Sequence, residues 1–94
     1  MSGNYDTIYE DCLEAWGVDA QVKVAIEEMA ELIVKLAKWG RNYNGVSILQ
    51  VAEEIADVEI MMKQMRIVFN SAVVDEFYEA KLKRLRQRLT KGEL

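Results

Sequence analysis

The chain has 94 residues, 51% of them apolar and 30% charged, the make-up of a single globular domain over residues 1–94. It holds no histidine, no proline and one cysteine, Cys12, which excludes Ser-His-Asp and Cys-His nucleophiles, imidazole acid/base chemistry, intramolecular disulfides and His- or Cys-cluster zinc sites. A net charge of −4 is a poor basis for general nucleic-acid binding, and no apolar run approaches the roughly 20 residues that span a bilayer. The lone cysteine and an N-terminus (MSGNYDTIYED) too polar for a signal peptide predict a soluble protein of the reducing cytoplasm, with no nucleic-acid or membrane partner.

Without proline and with few alternating β-branched runs, the chain reads as helical throughout. A first helix is expected from Asn4 to Trp16, stopped by Gly17. Asp19 then reads as the N-cap of a long helix that runs through Trp39 and is ended by Gly40. Residues 40–45, Gly-Arg-Asn-Tyr-Asn-Gly, form a loop rich in turn formers. Ser47 with Gln50 is a capping-box signature that opens a third helix to about Phe69. After a break at Asn70-Ser71, a fourth helix is expected from Val73 to Thr90, with Lys and Arg gathered toward its C-terminus. The fold class is all-α, a four-helix bundle-like subunit.

The apolar positions cover more than one stripe. In the second helix Val22, Ala25, Ile26, Met29, Leu32, Ile33 and Leu36 span over half the circumference. The third helix has a main arc through Val51, Val58, Met61, Met65 and Val68, and a second through Leu49, Ala56, Ile60 and Ile67. Helices apolar on two faces predict a homo-oligomer, a dimer or tetramer, with helices packed across its interface.

Charge is segregated along the chain. Residues 1–60 carry 12 acids and four bases, and residues 61–94 carry four acids and eight bases. Two acidic segments interrupt the amphipathic pattern: Ile26-Glu27-Glu28-Met29-Ala30-Glu31-Leu32 and Ala52-Glu53-Glu54-Ile55-Ala56-Asp57-Val58. At about 100° per residue, Glu54 falls in the main apolar arc of the third helix, with Asp57 at its edge one turn on. Glu28 lies between Val24 and Leu32 on the second helix, with Glu31 one turn on. A short connection makes these helices antiparallel neighbours, so their acidic pairs can face one another. Carboxylates turned into an apolar seam cost several kcal/mol each unless paired, and Glu27/Glu31 and Glu53/Asp57 add like-charge i,i+4 repulsion of about 0.2–0.5 kcal/mol. A divalent cation relieves both. All-oxygen ligands with room for water and phosphate favour Mg²⁺ over Ca²⁺, with Mn²⁺ a possible substitute. A helical di-iron centre needs a Glu-x-x-His motif that this chain cannot supply. The competing reading is a solvated acidic face, in which Glu31 pairs with Lys35 and Glu59 with Lys63.

Glu28-x-x-Glu31 followed by Glu54-x-x-Asp57 resembles the paired acidic motif of the MazG-like all-α nucleoside triphosphate pyrophosphohydrolases. The resemblance extends to Trp16-Gly17 before the second helix, Gln21 ahead of the first motif, Glu-Ile-Ala-Asp-Val in the third helix and a basic last helix. It implies a bundle assembled as a dimer or tetramer, with Mg²⁺ held by Glu28, Glu31, Glu54 and Asp57. It also implies hydrolysis of a (deoxy)nucleoside triphosphate to monophosphate and pyrophosphate, a house-cleaning activity on the nucleotide pool. Glu27 and Glu53 are then further ligands or the base that orients water, because without histidine a carboxylate must serve. Lys35, Lys38 and Arg41 continue the acidic face toward the loop and are candidates for the β- and γ-phosphates, as is Lys81, with Arg84, on the last helix. Gln21 is a further substrate candidate, and Trp16 or Trp39 can stack on a base or pack in the core. Cys12 reads as a small buried hydrophobe. Phosphoribosyl-ATP pyrophosphohydrolase is an alternative in the same superfamily, and a non-catalytic helical oligomerisation or regulatory module is the alternative outside it.

Overall fold

The computed structural model describes residues 2–41 and 45–92, with side-chain surroundings from Thr7 onward. Four helices follow one another: α1 (Ser2–Trp16), α2 (Val18–Gly40), α3 (Ile48–Val68) and α4 (Ser71–Thr90), with no strand among the described residues. The all-α expectation therefore holds.

The joints explain where the helices start and stop. Gly17 is a one-residue hinge at φ 88°, a left-handed conformation that favours glycine. Its N–H closes the last turn of α1 on the Leu13 carbonyl (2.9 Å), and its carbonyl opens α2 by accepting from the Gln21 N–H (3.1 Å). The break is a single residue, so α2 begins at Val18. Asp19, expected as the N-cap, instead lies inside the first turn, where its charge suits the positive end of the helix dipole. At the other end α2 includes Gly40, and the Arg41 N–H caps it on the Lys38 carbonyl (3.2 Å). Of the expected loop over 40–45, residues 42–44 lie outside the described residues.

The capping box at the start of α3 is complete. The Gln50 N–H donates to Ser47 Oγ (3.2 Å), and the Ser47 N–H donates to Gln50 Oε1 (2.8 Å). Asn70, at φ 80°, caps α4 by accepting the Val73 N–H on Oδ1 (3.3 Å), so α4 starts two residues before the expected Val73.

Helices α2 and α3 make the main contact, with α1 laid against both and α4 touching α3 alone. Lys35 meets Glu54, while Val24 lines a groove with Met61, so the two long helices run antiparallel as expected. The core between them is thin. Ala25 and Met61 are the buried hydrophobic residues among those described, accompanied by three buried polar side chains, Gln21, Glu54 and Gln64. Met62 and Met65 are half-buried, as is Cys12. Both tryptophans are exposed: Trp16 keeps 64% of its surface, so neither takes the core position that is tryptophan's commoner fate.

Much apolar surface is left over. Ile26, Ile33, Leu36, Ile55 and Ile60 are exposed on α2 and α3, Ile33 at 67%. The radius of gyration is 16.4 Å, against about 12 Å for a compact domain of this length. The accessible surface is 7661 Å², against about 5,500 Å² for a folded monomer of this mass. No helix of the described residues is long and apolar enough to cross a membrane.

Candidate metal centre

Helical arithmetic on α2 places Gln21, Val24, Ala25, Glu28, Leu32 and Lys35 on one face, with Glu31 on its edge. On α3 the matching face holds Glu54, Val58, Met61 and Met65, with Asp57 on its edge. Antiparallel packing presses these faces together and brings carboxylates from both helices to one place. One oxygen each from Glu28, Glu54 and Asp57 lie within 4.8 Å of one another.

The three carboxylates sit at different depths. Glu54 is 2% exposed, Glu28 is half-buried and Asp57 is exposed, so the cluster opens from a buried floor to a wet rim. Beside it, Val24, Glu28, Asp57, Ile60 and Met61 line an open groove of about 190 Å³. At the floor, Lys35 Nζ donates to Glu54 Oε1 at 3.3 Å. The second oxygen of Glu54 and Glu28 Oε2 are both buried with no hydrogen-bond partner. A buried carboxylate oxygen without a donor is unfavourable by the full desolvation of that lone pair.

The electrostatics follow from this crowding. Glu28 is pushed up to about 7, first because its proton is shared with Glu54, then by burial and by the charges of Glu54, Glu31 and Asp57. Glu31 is raised for the same leading reason, its contact with Glu54, with Lys35 pulling the other way. Glu54 is held below the usual carboxylate range chiefly by the proton on Glu28. Burial opposes that, and Lys35 and Glu31 add to the lowering. Within the cluster, protonation is favoured on Glu28 and charge on Glu54.

Of the four expected metal ligands, Glu28, Glu54 and Asp57 converge, and Glu31 stands exposed at the rim within electrostatic reach of Glu54. Glu27 and Glu53 are exposed and flank the cluster. Lys35 reaches into it, and its partner is Glu54 across the seam, not Glu31 as the solvated-face alternative would have it. Lys38 and Arg41 are exposed at the end of α2, and Lys81 is exposed on α4. Gln21 is buried and presented to α3, away from solvent.

One polar group lies outside the expected set. Gln64 is 2% exposed, with Oε1 unpartnered and its amide 3.8 Å from Met61 Sδ. Its signal in the sequence is weak: it falls just beyond the edge of the main apolar arc of α3, next to Asp57 on the helical wheel. Compared with protein-family models, with curated proteins and with solved structures, the chain finds no match.

The donor set fits a hard divalent cation. Oxygen ligands from two helices, two of them buried without donors, meet a rim open to water, which suits an octahedral ion that retains several waters.

Proposed function

We propose that the chain is a Mg²⁺-dependent nucleoside triphosphate pyrophosphohydrolase of the MazG-like type, acting as a homo-oligomer in the cytoplasm. The observation that carries this reading is the pair of buried, donorless oxygens on Glu28 and Glu54, in a cluster where one oxygen each of Glu28, Glu54 and Asp57 lie within 4.8 Å of one another. A merely solvated acidic face has no reason to bury them.

Bound there, Mg²⁺ or Mn²⁺ supplies Lewis-acid polarisation of phosphate oxygens and lowers the pKa of the attacking water. Glu28, Glu54 and Asp57 would hold the cation, with Glu31 at the rim a fourth candidate, and Glu28 would bind it as the carboxylate. Lys35, beside Glu54, would meet the β- and γ-phosphates of the substrate, with Lys38 and Arg41 further along α2. Glu27 or Glu53 orients the attacking water and accepts its proton. The bond broken is the anhydride between α- and β-phosphates, so the products are a nucleoside monophosphate and pyrophosphate. Trp16, exposed at the head of α2, offers a stacking surface for a base.

Incubation of the full chain with a panel of ribo- and deoxyribonucleoside triphosphates and phosphoribosyl-ATP, with Mg²⁺ and then with chelator, tests the reading. Monophosphate and pyrophosphate in equal amounts, abolished by chelator, are expected. Phosphoribosyl-ATP alone as substrate selects that narrower activity. Metal-independent release, or none with any substrate, returns the chain to a non-catalytic helical module.

A further inference from the structure

The fourth helix carries its two signs of charge in separate halves. Residues 71–80 hold Asp75, Glu76 and Glu79 with no base, and residues 81–90 hold Lys81, Lys83, Arg84, Arg86 and Arg88 with no acid. Val74, Tyr78, Leu82, Leu85 and Leu89 fall within an arc of about 80° along the same helix. Yet no residue of α4 is buried, and Leu89 keeps 66% of its surface. Helix α3 engages only the first turns, where Arg66 pairs with Asp75 and its guanidinium lies 5.9 Å from the Tyr78 ring centre. An isolated helix of this length is marginal in water, and helices in proteins draw most of their stability from a covered apolar face.

We propose that α4 packs antiparallel against α4 of a second copy of this chain, across a two-fold axis near Lys81 and Leu82. Antiparallel pairing lays each acidic half on a basic half, and does so twice by symmetry. Parallel pairing would set five bases against five and is repelled. One register aligns the apolar stripe and one charged flank together. Val74 lies opposite Leu89 of the second copy, and Tyr78 lies opposite Leu85. In the same register Glu79 and Arg86 of the second copy fall on the same flank of the stripe, about half a turn apart in level and within reach of each other. Asp75 is already held by Arg66, so Glu79 is the acid that fixes the alignment. The surface in excess of a compact monomer, about 2,100 Å² per chain, exceeds the roughly 800 Å² that each partner contributes to a standard interface. A basic amphipathic helix can also lie on an anionic membrane, but here the acidic half would face the headgroups. The pairing does not depend on the nucleotide reading.

Sedimentation velocity of the full chain over a concentration series tests it, with helical circular dichroism as the control for folding. The wild-type chain is expected at two or more multiples of its 10.8 kDa mass, falling as salt is raised. Leu85→Asp halves that mass with the dichroism unchanged. Glu79→Arg and Arg86→Glu each weaken association roughly tenfold. Mixed one-to-one, these two variants restore it as a heterodimer, because both 79–86 contacts are again opposite in sign. A wild-type chain that stays at 10.8 kDa overturns the proposal, as do variants that associate like wild type or a mixture no tighter than its components. A monomer that pellets with phosphatidylserine vesicles overturns it in favour of the membrane.

Discussion

Glu54 is buried, ion-paired and half-satisfied, and substitution separates a structural role from a ligand role for it. If Glu54 were there to anchor Lys35, Glu54→Gln would lower the melting temperature equally with or without metal. As a ligand, it stays charged because Glu28 and Lys35 favour its ionised form, and its second oxygen, without a donor, is left for a cation. Metal-free Glu54→Gln is therefore expected to melt somewhat below wild type, with the gap widening when metal is added, while turnover falls by more than about a hundredfold. Wild-type protein at a hundredfold excess of Mg²⁺ over Kd gains about 2.7 kcal/mol, on the order of 10 °C or more for a domain of this size, and the variant gains none. Glu28 gives the pH dependence its sign. Its folded value of about 7 lies above the ordinary 4.5, so the folded state takes up the proton more readily than the unfolded chain. That contribution to stability is complete below about 4.5 and is lost as pH rises through about 7. Melting of the metal-free protein should drop across that window. Saturating Mg²⁺ should flatten the profile and release a proton on binding at about pH 6, a release that pH-stat titration reads directly.

At the scale of the helices, the joints carry stability that single substitutions expose. Ser47→Ala removes one arm of a complete capping box and is expected to cost about 1 kcal/mol, a drop of about 4–8 °C in melting temperature. Gly17→Ala is expected to cost about 1–3 kcal/mol, since φ 88° with ψ 153° is nearly closed to any side chain. Both are checked by denaturant unfolding at fixed protein concentration. The number and order of helices, the capping box and the antiparallel pairing of the two acidic helices were legible from periodicity and cap chemistry. The start of α2 was not. Asp19 looked like a cap because propensity favours it there, but Gly17 at positive φ makes the break a single residue, and that length is not set by the preference of any one side chain. The convergence of Glu28, Glu54 and Asp57 was legible because both motifs sit in apolar arcs. The depth of Glu54 and the reach of Lys35 across the seam were not, because they depend on how closely the two helices approach.

The whole molecule is short of core. Periodicity marks which side chains are apolar, and it identified two faces on α2 and α3, but it does not encode what meets the second face. Exposed Ile26, Ile33 and Leu36, a bare α4 and a radius of gyration well above that of a compact chain all point to association as part of folding. The melting temperature is accordingly expected to rise with protein concentration, and a differential scanning series over two orders of magnitude checks this. The same thinness sharpens the case for the cation, since a chain with so little buried apolar surface can ill sustain two donorless carboxylate oxygens at its centre. Titration of Mn²⁺ into metal-free protein, followed by electron paramagnetic resonance, asks directly whether Glu28, Glu54 and Asp57 hold a divalent ion. Saturable binding that competes with Mg²⁺ and disappears in Glu54→Gln is the expected result. Equal binding by the wild type and the variant, or none by either, would contradict the metal centre.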